Sequence, residues 1–455
     1  MKTLVAKNTW FNDSDLRLDS TFHLSDTNKI KLLLKNAPYS TTTIHKQSED
    51  IFSGNIFKRI YVSNPEKGVP YITGSDMIKS DIDSGKFISK KQANSLKRLM
   101  LRRNWILVSC SGTLGNTVYT NELFENRIAT HDLIRIIPNN KEVLSGVLYA
   151  YLSSKYGYAL LTQSSYGGVI KHIEPHHIEN IPVPVFPKGK QEEIHKLITE
   201  AAELRVEANR LLEEAVNYFD GIYVQDIKST TKVFTKNVKD ISFSWAAYNN
   251  NKECSDIIEK IGHDSFKVGD VAESIFAPPM FKHIYLDKDN GNPFLTGAEL
   301  TRLNPKYYRW LSSKGVKNIE DYKVQKGTLL LYKSGTTDGG ILGNVFIVDD
   351  NLHGACLSDH VIRIQIKDIK LSYWIYAFFK SKAAVKLLRC LATGTMIPFI
   401  TPERLSDIII PNPNEEYDLL SDKISCFLEK RVLANNKENQ AIELVEKEIE
   451  SWQQS

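Results

Sequence analysis

The sequence predicts an α+β protein: two duplicated α/β globules separated by two long antiparallel coiled-coil helices, the halves related by a pseudo-two-fold axis. Three observations predict it: a half-chain repeat, a mid-chain helix with unbroken heptad spacing, and a second helical run of similar length near the end. The boundaries read from them are 1–187 for the first globule, 188–220 for the central helix, 221–413 for the second globule and 414–455 for the distal helix.

The mid-chain helix covers residues 191–219, where Ile194, Leu197, Ala201, Leu204, Ala208, Leu211, Ala215 and Tyr218 step by three and four. Glu192 and Glu193 suit its first turn, Pro182, Pro184 and Pro187 bar an earlier start, and Gly221 is expected to stop it. At 1.5 Å per residue it spans about 45 Å, the length of a spacer. The distal run carries Leu420, Ile424, Phe427, Ala434, Ala441, Val445 and Trp452, interrupted by Arg431 and Glu438. Neither stripe can be buried alone, so each helix is the other's expected partner. The helix-pair core is expected at Ile194, Leu197, Leu204 and Leu211 on one side and Leu420, Ile424, Phe427 and Val445 on the other.

Sliding the chain against itself exposes the repeat. Phe57-Lys58-Arg59-Ile60-Tyr61 returns as Phe281-Lys282-His283-Ile284-Tyr285, and Pro70-Tyr71-Ile72-Thr73-Gly74-Ser75-Asp76 as Pro293-Phe294-Leu295-Thr296-Gly297-Ala298-Glu299. Ser111-Gly112-Thr113 matches Ser334-Gly335-Thr336, and Leu133-Ile134-Arg135 matches Val361-Ile362-Arg363. Within each copy, short β-rich runs at 105–108, 118–120, 133–137, 328–332, 345–348 and 361–366 lie between turn residues, with helices expected near 28–35, 143–155 and 373–391. The unit is therefore one mixed globule plus one helix, used twice.

Composition bounds the class. A 455-residue chain with a net charge of +4 and no long apolar run reads as a folded cytosolic protein of several domains, with no membrane span. Its five cysteines are scattered without a C-x-x-C pair, which reads as reduced thiols and no metal site. Walker A, G-x-S-x-G and amino-methylation tetrads are all lacking, so no catalytic residue is assigned. His131-Asp132 and Asp359-His360 read as structural pairs placed on opposite faces of a strand, and His172, His176 and His177 as structural because the second copy does not repeat them.

Charge is local where the net value is not. Residues 84–121 hold no acid but include Lys86, Lys90, Lys91, Lys97, Arg98, Arg102 and Arg103. Residues 300–319 are also acid-free, with Arg302, Lys306, Arg309, Lys314 and Lys317 interleaved with Tyr307, Tyr308 and Trp310. Cations on one surface neutralise phosphates, and a dyad-related pair of globules matches the symmetry of duplex DNA. The Ser111-Gly112-Thr113 and Ser334-Gly335-Thr336 loops are equally consistent with strand-end turns and with DNA contacts, as are the loops at 166–168 and 393–395.

In these residues and motifs the chain resembles the specificity subunit of type I restriction-modification systems across about residues 18–452. The likeness rests on the duplicated architecture and on Tyr71-Ile72-Thr73-Gly74, Ser111-Gly112-Thr113, Gly167-Gly168 and Ile181-Pro182-Val183-Pro184. It implies a non-catalytic subunit in which each globule reads half of a split, asymmetric duplex DNA site. The helices would set the unread gap and dock two methyltransferase subunits holding S-adenosylmethionine, and restriction subunits using ATP and Mg would cut unmodified DNA. The alternatives are a protein-protein scaffold with duplicated binding domains and a specificity subunit of a type II-like methyltransferase/nuclease.

Overall fold

The computed structural model describes residues 27–452 apart from 164, 166–170, 225–234, 242–243, 337–339 and 395. The expected Gly167-Gly168 loop and most of the link between the copies lie outside the described residues. The chain divides into two compact units, Met1–Val206 with Leu433–Ser455, and Glu207–Val432.

The first unit contains β1 (Thr41–Thr43), β2 (Ser48–Phe52), β3 (Tyr61–Val62), β4 (Gly68–Ile72), β5 (Phe87–Ser89), β6 (Ile106–Ser109), β7 (Thr117–Tyr119), β8 (Ile128–Ala129), β9 (Leu133–Pro138) and β10 (Pro182–Pro184). They form a β1-β10 pair and two four-stranded sheets of order β2-β9-β6-β7 and β3-β5-β4-β8. All pairings are antiparallel except β4 with β8. Strand β6 is buried along its whole length because both faces are covered. Ile106 and Val108 pack with Val147, Leu148 and Tyr151 of the helix Ser145–Ser153, while Leu107 packs with Ile72, Leu101 and Phe124 on the other side.

The second unit repeats this plan strand for strand: β11 (Ser265–Lys267), β12 (Ala272–Phe276), β13 (Tyr285–Leu286), β14 (Asn292–Leu295), β15 (Arg309–Leu311), β16 (Leu329–Tyr332), β17 (Val345–Ile347), β18 (Cys356–Leu357), β19 (Val361–Ile366) and β20 (Ile409–Pro411). The orders are β11-β20, β12-β19-β16-β17 and β13-β15-β14-β18. Even the register shift recurs, between Ser48 and Asp50 in one unit and between Ala272 and Ser274 in the other. The duplication read from sequence is thus a duplication of fold.

One sheet in each unit also buries an arginine. Arg135 on β9 donates to the carbonyl oxygens of Leu133, Ala129 and Thr130 at 2.8, 3.0 and 3.0 Å. Arg363 on β19 does the same to Ser358 at 3.1 Å and Leu357 at 2.8 Å, and to Val361. Burial pushes both guanidinium groups down to about 10, still charged at neutral pH. The planar fork ties the end of β8 or β18 to the neighbouring strand, which a lysine could not do.

The Thr-Gly-x-acid motif proves to be a cap. Asp76 Oδ2 accepts from the Thr73 amide and hydroxyl at 3.0 and 2.6 Å, and Glu299 Oε2 from those of Thr296 at 2.8 and 3.0 Å. The second oxygen of each acid holds a cation, Lys79 at 2.6 Å and Arg309 at 2.7 Å.

The long helices run Lys188–Tyr223 and Tyr417–Ser451. Gly221 lies inside the first instead of ending it. The helix continues because Phe219 and Tyr223 pack on Phe378, an aromatic contact that outweighs glycine's helix cost of about 1 kcal/mol. Within the first unit Lys190 pairs with Glu448, and Glu200 with Lys437 at 2.7 Å. Within the second, Glu214 pairs with Lys423 at 2.9 Å. Falling partner numbers make the helices antiparallel in each unit.

The expected seam needs correction. Ile194, Leu420, Ile424, Phe427 and Val445 are buried, but Leu197, Leu204 and Leu211 are only partly so. Ile198, Ala202 and Arg205 are buried in their place. The helix covers its own globule as well as its partner helix, so its buried face is wider than a two-position seam and rotated from it. Both seam interruptions are satisfied: Glu438 meets Arg205, and Arg431 meets Asp349 at 2.6 Å.

Other expectations shift as well. The helix expected over 373–391 is two, Ile369–Lys380 and Lys382–Cys390, because the Ser381 hydroxyl accepts from the Ala384 amide and caps a new start. Ser154 does the same between Ser145–Ser153 and Lys155–Gln163, accepting from the Gly157 amide. Cys254 and Cys390 form a disulfide across 136 residues, against the expectation of reduced thiols throughout, since sequence spacing says nothing of proximity in the fold. His131-Asp132 precedes β9 instead of alternating within it.

Candidate nucleic-acid interface

Strand registers fix which residues of the two units correspond. Tyr61 faces Ile88 as Tyr285 faces Leu311, and Pro70 faces Phe87 as Pro293 faces Trp310. The isolated bridge Met100–Ile128 corresponds to Lys323–Cys356. Counting along these strands places Lys86 on Arg309, Lys91 on Lys314 and Arg103 on Lys326. Lys97 and Arg98, however, fall on Glu320 and Asp321, and Arg302 and Lys306 on Lys79 and Asp83. The basic runs 84–121 and 300–319 are therefore only partly equivalent, a correction to the matched patches expected from sequence.

In the first unit Lys90 and Lys91 open a short helix, Lys90–Ser95, capped by Ser89, and Lys97 follows on a 3-10 turn. Lys86, Lys90, Lys91, Lys97 and Arg102 are exposed. Arg98 is already engaged, 2.9 Å from Asp50 and 4.4 Å from the Phe52 ring, and Arg103 grips Glu125 through two 3.0 Å bonds. Lys326 repeats the Arg103 pairing with Asp350 at 2.8 Å. Glu125 lowers in pKa because it accepts from Arg103. Pairs this exposed are worth about 0–1 kcal/mol, so a phosphate can compete for the cation.

In the second unit Lys314 and Lys317 are exposed and Arg302 and Lys306 half-buried. Arg309 is held by Tyr285 and Glu299, which raise its pKa. Two of the aromatic residues are engaged within the fold. Tyr307 is partly buried and donates to the Asn351 carbonyl at 2.6 Å, and burial pushes its hydroxyl up to about 12. Trp310 is a sheet residue lying over Gly291, where a Cβ would stand 2.5 Å from that of Trp310. Phe87 lies over Gly68 at the same 2.5 Å. Tyr308 remains exposed.

The small-residue loops are largely closed on themselves. Around Ser111-Gly112-Thr113 the Ser109 hydroxyl donates to the Thr113 carbonyl at 2.5 Å and accepts from the Asn116 amide at 3.0 Å, and Ser111 bridges to His172. Ser334 bridges to Phe399, and the Gly335 amide donates to the Pro398 carbonyl at 3.1 Å, while Thr336 is exposed. Part of their polar backbone is spent on the turn.

A fold used twice agrees with the comparisons. The family model described as the type I restriction modification DNA specificity domain matches residues 40–218 and again 260–446.

The chain belongs to this specificity family.

The type I restriction enzyme MjaVIII specificity subunit of Methanocaldococcus jannaschii is 22% identical over 372 residues, covering 78% of this chain and 79% of the relative. Among solved structures, the chain is similar to the type I restriction-modification S subunit from M. genitalium, at 14% identity, TM-score 0.31, and coverage of 92% and 94%. It is also similar to the HsdS subunit from Thermoanaerobacter tengcongensis, at 14% identity, TM-score 0.29, and coverage of 91% and 97%.

In this specificity subunit the sequence reading did not single out Arg59. Arg59 donates to the Tyr71 hydroxyl at 2.7 Å and to Thr130 at 3.4 Å, and the bond to Tyr71 raises its pKa. It lies in the Phe57–Tyr61 run, which signalled the repeat but not this contact and has His283 at the equivalent place. Among the described residues, no cluster of three His, Cys, Asp or Glu side chains could hold a metal, and no helix is long and apolar enough to cross a membrane. His177 has a local task, accepting from the Glu174 amide at 2.9 Å.

Proposed function

We propose that this chain is the reading subunit of a restriction-modification assembly in which each unit recognises one half of a split duplex DNA sequence. The observation that carries the reading is the same sheet topology used twice, with cations at matched positions, Lys86 with Arg309 and Lys91 with Lys314. Such side chains grip phosphates and fix register, while neighbouring groups contact base edges. Because the two units differ at most other surface positions, Lys97 and Arg98 against Glu320 and Asp321 among them, the half-sites differ and the site is asymmetric.

The long helices set the unread gap and dock two methyltransferase subunits. Those partners hold S-adenosylmethionine and modify adenine after flipping it from the stack. A restriction subunit using ATP and Mg joins where unmodified DNA is cut. This chain contributes placement and grip, not chemistry.

The test is co-expression with the adjacent methyltransferase gene and single-molecule sequencing of host DNA for methyladenine. A split motif that vanishes when this gene is deleted supports the reading. An unchanged methylation pattern, with the methyltransferase active, overturns it.

A further inference from the structure

Each unit carries an aliphatic side chain at the tip of the loop that joins its two main sheets. Ile56, between β2 and β3, is 85% exposed, and Met280, between β12 and β13, is 84% exposed. The two positions are equivalent: each lies four residues past the end of its strand, after Phe52 or Phe276, and directly before a phenylalanine that turns inward. Phe57 packs edge-on against Tyr71 and His131, and Phe281 lies 4.4 Å from the Tyr322 ring and 6.1 Å from Phe294. The anchor is partly buried against its cluster and the preceding residue is thrown outward in both copies.

The loops are pinned on either side of the tip. The Gly54 amide donates to the His131 carbonyl at 3.3 Å, and the Ile60 amide to Gln92 at 2.8 Å. In the second unit the Tyr322 hydroxyl donates to the Pro279 carbonyl at 2.9 Å, and the Ser312 amide to the Ile284 carbonyl at 2.8 Å. Gln92 also donates to the Lys58 carbonyl at 2.5 Å, which seats the short helix bearing Lys90 and Lys91 against this loop. In the second unit Gly315, next to Lys314, lies so close to the Lys282 carbonyl that an added Cβ would stand 2.5 Å from its oxygen. Neither 53–62 nor 277–286 contains an acid. The surface is thus a rigid apolar knob within a cationic surround.

Exposing a large aliphatic group at one position is ordinary; repeating it at equivalent positions, on pinned loops ringed by lysine, fits a duplex whose phosphates surround a less polar base stack. We propose that Ile56 and Met280 are specificity contacts, each packing on base pairs of its own half-site while Lys58, Lys91, Lys282 and Lys314 hold the flanking phosphates. Thymine methyl groups and partly unstacked base faces are the apolar surfaces a duplex offers to such a side chain. This rests on the DNA-reading function proposed above.

The experiment uses the full chain co-expressed with its methyltransferase subunits, as wild type, Ile56→Ala, Met280→Ala, Ile56→Leu and Met280→Leu. Host methyladenine is sequenced, and binding is measured by anisotropy on a duplex bearing the motif found for the wild type. Ile56→Ala is expected to relax one half of the motif and weaken that duplex about tenfold, with Met280→Ala acting only on the other half and both leucine variants near wild type. Unchanged motifs and affinities within twofold for both alanine variants overturn the assignment while leaving the DNA-reading function intact. Loss of methyltransferase copurification with unchanged DNA affinity also overturns it, making the knobs protein contacts. If deletion of the gene leaves methylation unaltered, the underlying function has failed instead.

Discussion

Arg205 on the first long helix places Nη1 2.5 Å from a Glu438 carboxylate oxygen on the second, and Nη2 3.1 Å from Asn435 Oδ1. Both charged side chains are more than nine-tenths buried. Arg431 occupies the matching place in the second repeat, yet it turns to its globule and pairs with Asp349 through two bonds of 2.6 and 3.0 Å. The first globule has Asn121 where the second has Asp349, and Asn121 donates to the Ala202 carbonyl at 3.1 Å. Lacking a carboxylate from its globule, Arg205 takes one from the neighbouring helix.

Removing either partner strands a buried charge. Arg205→Ala or Glu438→Ala is expected to lower stability by about 3–5 kcal/mol, and the double variant Arg205→Met with Glu438→Leu to recover most of it. Urea unfolding of the purified chain measures this. A single-variant cost below about 1 kcal/mol would show that the pair is not desolvated.

The exposed lysines are expected to act on phosphate without changing sequence choice. Lys91→Ala and Lys314→Ala should each reduce the slope of log affinity against log salt by about 1, uniformly across duplex sequences. Anisotropy titrations between about 50 and 200 mM salt read the slope. An unchanged slope removes that side chain from the interface.

Arg135 serves three carbonyl oxygens, one on its own strand and two at the end of β8. Arg135→Met leaves those acceptors unmet in the core and is expected to cost about 3 kcal/mol or more, with Arg135→Lys a poor rescue because an ammonium cannot span the fork. Arg363→Met should behave alike in the second unit. Thermal melts of the variants provide the comparison.

Asp76 supplies a pH dependence. Although burial acts to raise its pKa, the hydrogen bonds from Lys79 and Thr73 hold it below the ordinary 3.8. A depressed carboxylate contributes stability in full above its unfolded value, and loses it as pH falls through the folded one. Asp76→Asn should therefore cost about 1–3 kcal/mol at pH 7, with the difference from wild type shrinking below about pH 4. A cost independent of pH would mean that the charge does not matter there.

The periodicities that the chain repeats locally were legible: two long helices, the β-rich runs ending in Ile106–Ser109 and Val361–Ile366, and the half-chain register. The cationic stretches were legible as composition but not as equivalence, because Lys97 and Arg98 match Glu320 and Asp321 only once strands fix the count. Tyr307 and Trp310 were legible as aromatic side chains beside lysine, but their places in the fold were not. Their partners, the Asn351 carbonyl and Gly291, lie 44 and 19 residues away, beyond any local pattern.

By itself the sequence determined that this protein is one unit of fold and helix used twice, because repeats and heptads are properties of order along the chain. Only the tertiary structure decided which side chains are spent within the molecule and which face outward. Burial, ion pairing and register depend on residues far apart in sequence: Arg205 with Glu438, Arg98 with Asp50, Cys254 with Cys390, and the anchors Phe57 and Phe281 that leave Ile56 and Met280 in water.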